Sequence, residues 1–196
     1  MNDNLFRLIA GVIFMTAAGI SIYHRRKADR AAGKVSMKEE GLPMLIFLRL
    51  LGLLGWGGII AWMLNPDWMA WSRIDLPEGL RWLGVALGVA ADFLAWWVFT
   101  NLKNNVTPTV VARPQAQLVT SGPYRWIRHP LYVMGLIGCI GYSLLAENWF
   151  ILLVMALAFV GLAIRTHQEE ARLVEKFGDE YRQYMSRTGR FFPKFG

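Results

Sequence analysis

Residues 131–164 contain two apolar runs separated by a short polar break: LYVMGLIGCIGYSLL (131–145), AEN (146–148) and WFILLVMALAFVGLAI (149–164). A helix that crosses a membrane needs about 20 predominantly apolar residues, and each run approaches that length. The break leaves room only for a tight connection, so the two helices should lie antiparallel and side by side. The pattern therefore predicts a helical hairpin in a membrane.

Three further apolar runs precede the hairpin, at residues 5–23, 42–64 and 80–102. Arg49 interrupts the second of these runs and Asp92 interrupts the third. The first run is followed by basic residues and has no small-residue cleavage site, so we expect a membrane anchor and not a removable signal peptide. The predicted fold class is an all-α integral membrane protein with five transmembrane helices, the last two a helical hairpin, and a cytoplasmic C-terminal helical region.

The composition agrees with a chain that lies mostly in lipid. Of its 196 residues, 55% are hydrophobic and only 18% are charged, which is too apolar for an ordinary soluble domain. The net charge of +7 does not indicate nucleic-acid binding, because the basic residues cluster in short segments between apolar runs. In that position they act as topology signals and as contacts to anionic lipids. Membrane lipids are therefore expected partners, and nucleic acid is not.

Most of the basic residues follow the first apolar run, follow the third, or lie in the tail. The positive-inside rule places these three segments in the cytoplasm and the N-terminus outside, which in a prokaryote means the plasma membrane. Residues 1–102 then form three transmembrane helices with a basic cytoplasmic loop at about 24–41. Residues 103–196 form a second region, with a cytoplasmic segment, the hairpin and C-terminal helices. Arg73 and Arg81 mark the sparse outer loop. Near the outer boundary we expect a belt of Trp62, Trp68, Trp71, Trp82 and Trp149.

The glycines, the cysteine and the histidines of the chain do not by themselves indicate a reactive site. Glycines recur in the second, third and fourth spans, where they let helices approach closely; packing within one chain is favoured over a dimer face. Cys139 is the only cysteine and cannot form an intramolecular disulfide. His24, His129 and His167 lie in three different segments, and we expect no metal site.

Two polar stretches, residues 118–135 and 165–184, flank the hairpin and should meet at its cytoplasmic end. Pro130 suits the first turn of a helix and places His129 at that helix's start. There His129 and its neighbour Arg128 act either as interfacial anchors and caps or as a site for a carboxylate or other anion. The residues alone leave both interpretations open.

Arg165 and Glu169 are four residues apart and share one face of the predicted helix. A surface ion pair of this kind contributes a few tenths of a kcal/mol. Arg165, however, directly follows the apolar run, where an ionisable side chain should face protein or a wet cavity. The position favours a functional pair. Tyr181 and Tyr184 are either core packing of the tail or the wall of a pocket.

Four motifs in these stretches resemble the isoprenylcysteine carboxyl methyltransferases and, more broadly, the membrane methyltransferases. The motifs are Gly122-Pro-Tyr124, Arg128-His129-Pro130-x-Tyr132-x-x-Gly135, Arg165-x-x-x-Glu169-Glu170-x-x-Leu173 and Phe177-Gly178-x-Glu180-Tyr181-x-x-Tyr184. Any one motif is weak, but four in this order and spacing make a specific match over roughly residues 115–193. The chain resembles a small prokaryotic member of the family, although the first three spans match no motif.

The resemblance implies methyl transfer from S-adenosylmethionine, with S-adenosylhomocysteine as the product and without a metal. It implies that the cofactor is bound by Leu118, Val119, Gly122, Tyr124, His129, Leu131, Tyr132, Gly135, Glu170, Tyr181 and Tyr184. Arg165 and Glu169 match the polar pair at the family's active centre and are the expected catalytic residues. The implied acceptor is the carboxylate of a prenylated cysteine or a similar lipidated carboxylate.

Methylation of a carboxylate agrees with the lack of a recognisable acid–base dyad. A cysteine α-carboxylate has a pKa of about 3.5 and is already ionised at neutral pH, so the reaction needs no general base. We expect Arg165 to position this carboxylate, and Glu169 to orient the arginine or to contact a cofactor or substrate amide. The alternatives are a phospholipid or other lipid N-methyltransferase, a sterol-reductase-like enzyme, and a non-catalytic membrane scaffold or transport component.

Overall fold

The computed structural model describes residues 3–32, 42–106 and 116–194, and the regular structure in these ranges is helical. The α-helices in chain order are α1 Asp3–Ala32, α2 Leu42–Leu64, α3 Glu78–Leu102, α4 Pro130–Ala146, α5 Trp149–Phe177 and α6 Asp179–Arg187. Short 3-10 helices lie in the connections, at Pro66–Ser72, Lys103–Asn105 and Gly122–Arg125.

Two helices extend well beyond their apolar runs. Helix α1 continues to Ala32, so the first part of the predicted basic loop at 24–41 is helical; residues 33–41 lie outside the described residues. Helix α5 continues from its apolar run to Phe177 because good helix formers follow Ile164 and no proline or glycine intervenes before Gly178. Gly178 has φ +58, a left-handed conformation that ends the helix. The polar continuation of α5 carries the predicted catalytic pair.

Within the described residues, four helices are long and apolar enough to cross a membrane: α1, α2, α3 and α5. The predicted multi-pass membrane protein is confirmed. Helix α4 is also apolar, but it has 17 residues. At 1.5 Å per residue it is about 25 Å long, slightly less than a hydrocarbon core of about 30 Å. The predicted fifth span is thus at the lower limit of length and stays a prediction.

The predicted hairpin of α4 and α5 is present, and two residues make its turn. Glu147 has φ 52, a left-handed conformation that ends α4. Asn148 then begins α5: its Oδ1 accepts a hydrogen bond from the Ile151 N–H at 3.1 Å. Ser143 Oγ donates to the Asn148 carbonyl at 2.8 Å and fastens the turn to α4. The connection brings the start of α4 beside the polar continuation of α5.

Helices α3 and α4 pack through glycines with their backbones in contact. A Cβ atom added at Gly84 would lie 2.7 Å from the carbonyl oxygen of Gly141, and one added at Gly141 would lie 2.9 Å from the Gly88 nitrogen. These glycines are therefore used for packing within the chain, as predicted. Gly52 and Gly57 on α2 have open space around them instead.

At the other end of the bundle, Arg81 is fully buried and does not lie in the predicted outer loop. It sits in the first turns of α3, where its Nη1 lies 2.7 Å from Asp3 Oδ1 and 3.5 Å from Glu147 Oε2. Its guanidinium also stacks 4.0 Å from the centre of the Phe6 ring. Trp62 is likewise buried in the core and not in an interfacial belt. The rest of that predicted belt is exposed: Trp68, Trp71, Trp82 and Trp149.

Candidate active site

A cavity of about 820 Å³ lies among α1, α3, α4 and α5. The start of α4 and the polar continuation of α5 line one end of it with hydrogen-bonding side chains. Towards the middle of the bundle its walls are mostly apolar and include small residues such as Ala17, Ala91, Ala95 and Gly138. Its volume falls within the usual range for small-molecule sites. The cavity therefore joins a polar chamber at the bundle's end to an apolar channel between helices.

The cavity brings together most of the residues singled out from the sequence. Both predicted catalytic residues, Arg165 and Glu169, line it. The predicted cofactor residues that line it are Leu118, Val119, Tyr124, His129, Leu131, Tyr132 and Gly135. The remaining predicted cofactor residues do not line it: Gly122, Glu170, Tyr181 and Tyr184. The structure groups these residues, and their roles in binding stay predictions.

Glu169 is held by a residue of the facing helix. The Tyr132 hydroxyl donates to Glu169 Oε2 at 2.7 Å, which links the start of α4 to α5. The same Tyr132 ring stacks on His129, with centroids 5.4 Å apart and planes 7° from parallel. His129 is buried, and its Nδ1 lies 3.8 Å from Glu169 Oε2. The polar chamber thus presents a carboxylate beside two stacked aromatic rings.

Glu170 lies behind this chamber and is the centre of a buried ionic cluster. Its Oε1 accepts a hydrogen bond from Arg128 Nε at 2.8 Å and lies 3.2 Å from His129 Nε2. Its Oε2 accepts a bond from Arg190 Nη2 at 2.6 Å. The Glu170 side chain is only 5% exposed, and a buried carboxylate is tolerated only with such compensation. The cluster fixes His129 from the side that does not face the cavity.

The segment after α6 completes this arrangement by returning to the start of α4. The Arg128 N–H donates to the Gly189 carbonyl at 2.9 Å, and the His129 N–H donates to the Arg190 carbonyl at 3.1 Å. Arg128 Nη1 also donates to the carbonyl of Thr188. Arg128 is therefore neither a helix cap nor an interfacial anchor: it ties α4, α5 and the returning segment together.

Tyrosines of α6 support the wall of the cavity from outside. The Tyr184 hydroxyl donates to the Tyr124 carbonyl at 2.6 Å, so α6 holds the segment whose Tyr124 side chain lines the cavity. Tyr181 is buried beside Tyr184, with ring centroids 5.7 Å apart. Burial raises the pKa of Tyr184 to about 12 and that of Tyr124 well above its usual range. Both phenols stay protonated at physiological pH.

Gly122 shapes the chain just before Tyr124. It has φ +60, and a Cβ atom there would lie 2.4 Å from the Asn101 side chain at the end of α3. The position therefore needs glycine for two reasons, a left-handed backbone and a close neighbour. The motif residue Gly122 acts on the shape of the wall and does not line the cavity itself.

Sequence reasoning missed several residues of the site. Arg190 is one of the basic residues of the tail, and no local pattern links it to Glu170 twenty positions earlier. Arg25 of α1 and Gln117 also line the cavity, but neither belongs to a motif. In the sequence Asp92 interrupts the third apolar run, and an ionisable residue at that depth is itself a signal of a cavity.

Residues 83–175 match the sequence model of the Isoprenylcysteine carboxyl methyltransferase (ICMT) family. The matched residues make up just under half of the chain, and over them the chain is similar to the ICMT family. The match runs from α3 into the polar continuation of α5 and includes Arg128, His129, Arg165, Glu169 and Glu170. It confirms the family predicted from the four motifs.

A solved structure of the eukaryotic intramembrane Ras methyltransferase ICMT has a similar fold. The TM-score is 0.59 at 19% sequence identity, and the match covers 94% of this chain and 67% of that chain. At this level of identity the likeness shows the fold alone. The fold is thus ICMT-like along almost the whole chain, including α1 and α2, which the family model does not cover.

Two bacterial relatives of this chain carry other names. The cobalt-zinc-cadmium resistance protein CzcN of Cupriavidus metallidurans is 34% identical over 115 residues, 59% of this chain and 48% of that protein. The methanethiol S-methyltransferase of Pseudomonas deceptionensis is 30% identical over 144 residues, 69% of this chain and 54% of that protein. The chain spans about half the length of each. The family and the second relative support the enzyme class predicted from the sequence, a methyltransferase.

Proposed function

We propose that the chain transfers a methyl group from S-adenosylmethionine to the carboxylate of a prenylated cysteine or a similar lipidated carboxylate. One observation carries the proposal: a single cavity joins a polar chamber, with Arg165 and Glu169, to an apolar channel between α1, α3 and α4. The methyl donor is soluble in water and the acceptor chain is soluble in lipid. A cavity with both kinds of wall suits this pair of substrates.

The residues of the polar chamber fit the proposed cofactor. S-adenosylmethionine supplies a methyl group bound to a positively charged sulfur. Glu169 offers a negative charge to the cofactor's cations, and the stacked rings of His129 and Tyr132 offer a π surface. Leu118 and Leu131 provide apolar contacts for a nucleoside. In this proposal Glu170, Tyr181, Tyr184 and Gly122 act by holding the chamber's wall and do not touch the cofactor.

Arg165 is the proposed partner of the acceptor carboxylate. A guanidinium can hold a carboxylate through two parallel hydrogen bonds, which fixes its orientation as well as its position. The carboxylate is ionised at neutral pH, so the chain has to align and desolvate it and does not have to remove a proton. An N-methyltransferase would have to bind a neutral amine, and a cationic residue at the acceptor position does not suit that substrate.

The proposed orientation places the polar chamber at the cytoplasmic face, with five spans and the N-terminus outside. The positive-inside rule supports this arrangement, because α1 is basic at the same end of the bundle as the chamber: Arg25, Arg26, Lys27 and Arg30. Arg25 lines the cavity there. The soluble donor then enters from the cytoplasm, and the lipid-soluble acceptor enters between helices.

A second candidate acceptor is a thiol, favoured by the similarity to a methanethiol S-methyltransferase over 69% of this chain. A thiol has a pKa of about 8.5 and has to lose its proton to become a good nucleophile. His129 and Glu169 are the ionisable groups of the chamber that could receive this proton. Thiol methylation would therefore rise with pH between about 6 and 9, whereas carboxylate methylation would not.

The proposal is tested first by calorimetric binding of S-adenosylhomocysteine to the detergent-purified protein. We expect micromolar binding that His129→Ala weakens at least tenfold and Arg165→Ala leaves within about threefold. Arg182→Ala is the matched control, because Arg182 is exposed on α6 and, within the described residues, its side chain pairs only with Asp179 at 2.7 Å. If a folded sample does not bind S-adenosylhomocysteine, the proposal is wrong. The reductase and scaffold alternatives then become the better explanations.

The acceptor is then tested with radiolabelled S-adenosylmethionine and two compounds, an N-acylated S-farnesylcysteine and a small alkyl thiol. Methylation of the first, with Arg165→Ala lowering kcat/KM at least a hundredfold, supports the carboxylate assignment. Methylation of the thiol alone supports the second candidate.

A further inference from the structure

The apolar channel contains polar groups that the proposed methyl transfer does not use. Asp92 of α3 and Tyr142 of α4 both line the cavity, far from Arg165 and Glu169. At a rise of 1.5 Å per residue, Asp92 lies about 15 Å along α3 from Leu102, which lines the polar end. Tyr142 lies about 15 Å along α4 from Tyr132. Two packed helices thus place these groups at a similar depth.

Asp92 is the more unusual of the two. A carboxyl group inside the bilayer is costly, and such groups persist where they line a cavity or serve a function. In the described ranges no side chain or backbone group forms a hydrogen bond or ion pair with Asp92. The neighbouring walls are small, Gly88, Ala91 and Gly138, and leave space in front of it. Nothing in the fold itself requires an acid here.

Tyr142, on the facing helix α4, is a second buried polar group in the channel. Its side chain is 5% exposed, and its hydroxyl has no hydrogen-bond partner within the described part of the chain. A buried hydroxyl left in this state costs about 1–3 kcal/mol. The ring packs edge-on against Trp56, with centroids 6.1 Å apart, and Trp56 also lines the cavity. Asp92 and Tyr142 are close enough to interact electrostatically.

Asp92 and Tyr142 together complement a hydroxyl. A carboxyl group accepts hydrogen bonds whether or not it carries a proton, and a phenol both donates and accepts. A hydroxyl also donates and accepts, so it can satisfy Asp92 and Tyr142 at once. A plain hydrocarbon chain would satisfy neither of them, and a quaternary ammonium would form no hydrogen bonds.

We propose that Asp92 and Tyr142 form a second polar subsite that binds a hydroxyl group at the far end of the acceptor's chain. The inference rests on the proposed function for the reactive end of the acceptor. It narrows the acceptor to a lipid of about 15 Å that has a methylatable group at one end and a hydroxyl at the other. The small residues between the two ends accept the chain itself.

The test compares two ligands, an N-acylated S-farnesylcysteine and the same compound with a hydroxyl on its terminal carbon. Dissociation constants are measured on the full-length protein in detergent by tryptophan fluorescence. We expect the wild-type chain to bind the hydroxylated ligand at least fivefold more tightly. Tyr142→Phe and Asp92→Leu should each reduce the ratio of the two dissociation constants towards one. Tyr23→Phe, at an exposed position on α1, should leave this ratio unchanged.

Asp92→Asn serves as a second variant if Asp92→Leu does not fold, and it should reduce the ratio at least twofold. Equal affinities for the two ligands in the wild-type chain would overturn the inference, as would a ratio that the Asp92 and Tyr142 variants leave unchanged. Methyl transfer is measured separately. A preference for the hydroxylated ligand without methyl transfer to either compound would refute the proposed function and leave the subsite standing.

Discussion

The Tyr132 hydroxyl donates to Glu169 Oε2 at 2.7 Å, across the hairpin from α4 to α5. Tyr132 also stacks on His129, so one side chain fixes both a carboxylate and an imidazole of the polar chamber. The relationship joins two of the four motifs seen in the sequence. The two motifs therefore meet at one end of the hairpin.

Tyr132→Phe should lower kcat for methyl transfer about tenfold, because Glu169 loses a hydrogen bond to a charged group worth roughly 1.5 kcal/mol. The phenylalanine ring can still stack on His129, so the dissociation constant of S-adenosylhomocysteine should change less than about threefold. Steady-state kinetics and calorimetry measure the two quantities. Tyr23→Phe is the control, and equal kcat values for the two variants would show that Glu169 does not depend on Tyr132.

Glu170→Gln should destabilise the protein by about 3 kcal/mol, because it leaves Arg128 as a buried cation without its carboxylate. The decrease appears as a lower thermal unfolding midpoint in detergent, and it should be accompanied by weaker cofactor binding. Glu175→Gln, at an exposed position on the same helix, should leave the midpoint unchanged. Similar midpoints for the two variants would mean that the buried cluster contributes no net stability.

Gly84→Ala should destabilise the protein by about 1–3 kcal/mol, since the added methyl group would lie 2.7 Å from the Gly141 carbonyl oxygen and 2.8 Å from the Leu145 nitrogen. Gly57→Ala on α2 has open space and should be neutral or slightly stabilising. Thermal unfolding of both variants checks the difference. If Gly57→Ala proves the more damaging, its open face is covered by another molecule.

Tyr184→Phe should lower the free energy of unfolding by about 1 kcal/mol, because it deletes the hydrogen bond to the Tyr124 carbonyl. Burial raises the pKa of Tyr184 from 10.0 to about 12, so the folded chain keeps this proton where the unfolded chain releases it. The resulting stabilisation is complete below about pH 10 and is lost as the pH rises to about 12. The variant should therefore lose less stability than the wild-type chain across this window. The unfolding midpoints of the wild-type chain and of Tyr184→Phe are measured from pH 9 to 12. If the two curves of midpoint against pH run parallel, the raised pKa assigned to Tyr184 is wrong.

The apolar helices were predictable because hydropathy and length determine them locally. The predicted run at 42–64 coincides with α2, and the runs of the hairpin agree with α4 and the first part of α5. The predictable part of the site was equally local: Arg165 and Glu169 share a helix face, and Pro130 marks the start of α4. In each case the necessary information lies within a few turns of one helix.

What could not be predicted depends on contacts between distant segments. Arg81 follows a polar stretch and looks like a loop residue, but its partner Asp3 lies at the start of α1. Trp62 looks like an interfacial residue, but α2 turns it towards the core. Arg190 joins the site only because the segment after α6 returns to pair with residues 127–129.

The return of Gly189 and Arg190 to the start of α4 has a consequence for folding. All of the apolar helices precede these residues along the chain, so the helices can form before the returning segment docks on α4. Until then Glu170 and Arg128 have met without their third partner, and His129 lacks the backbone bond that fixes its orientation. A chain whose apolar helices have all formed thus still lacks the contacts that orient His129 until Gly189 and Arg190 have docked. Formation of the helices and completion of the polar chamber are distinct steps, and the second depends on the returning segment.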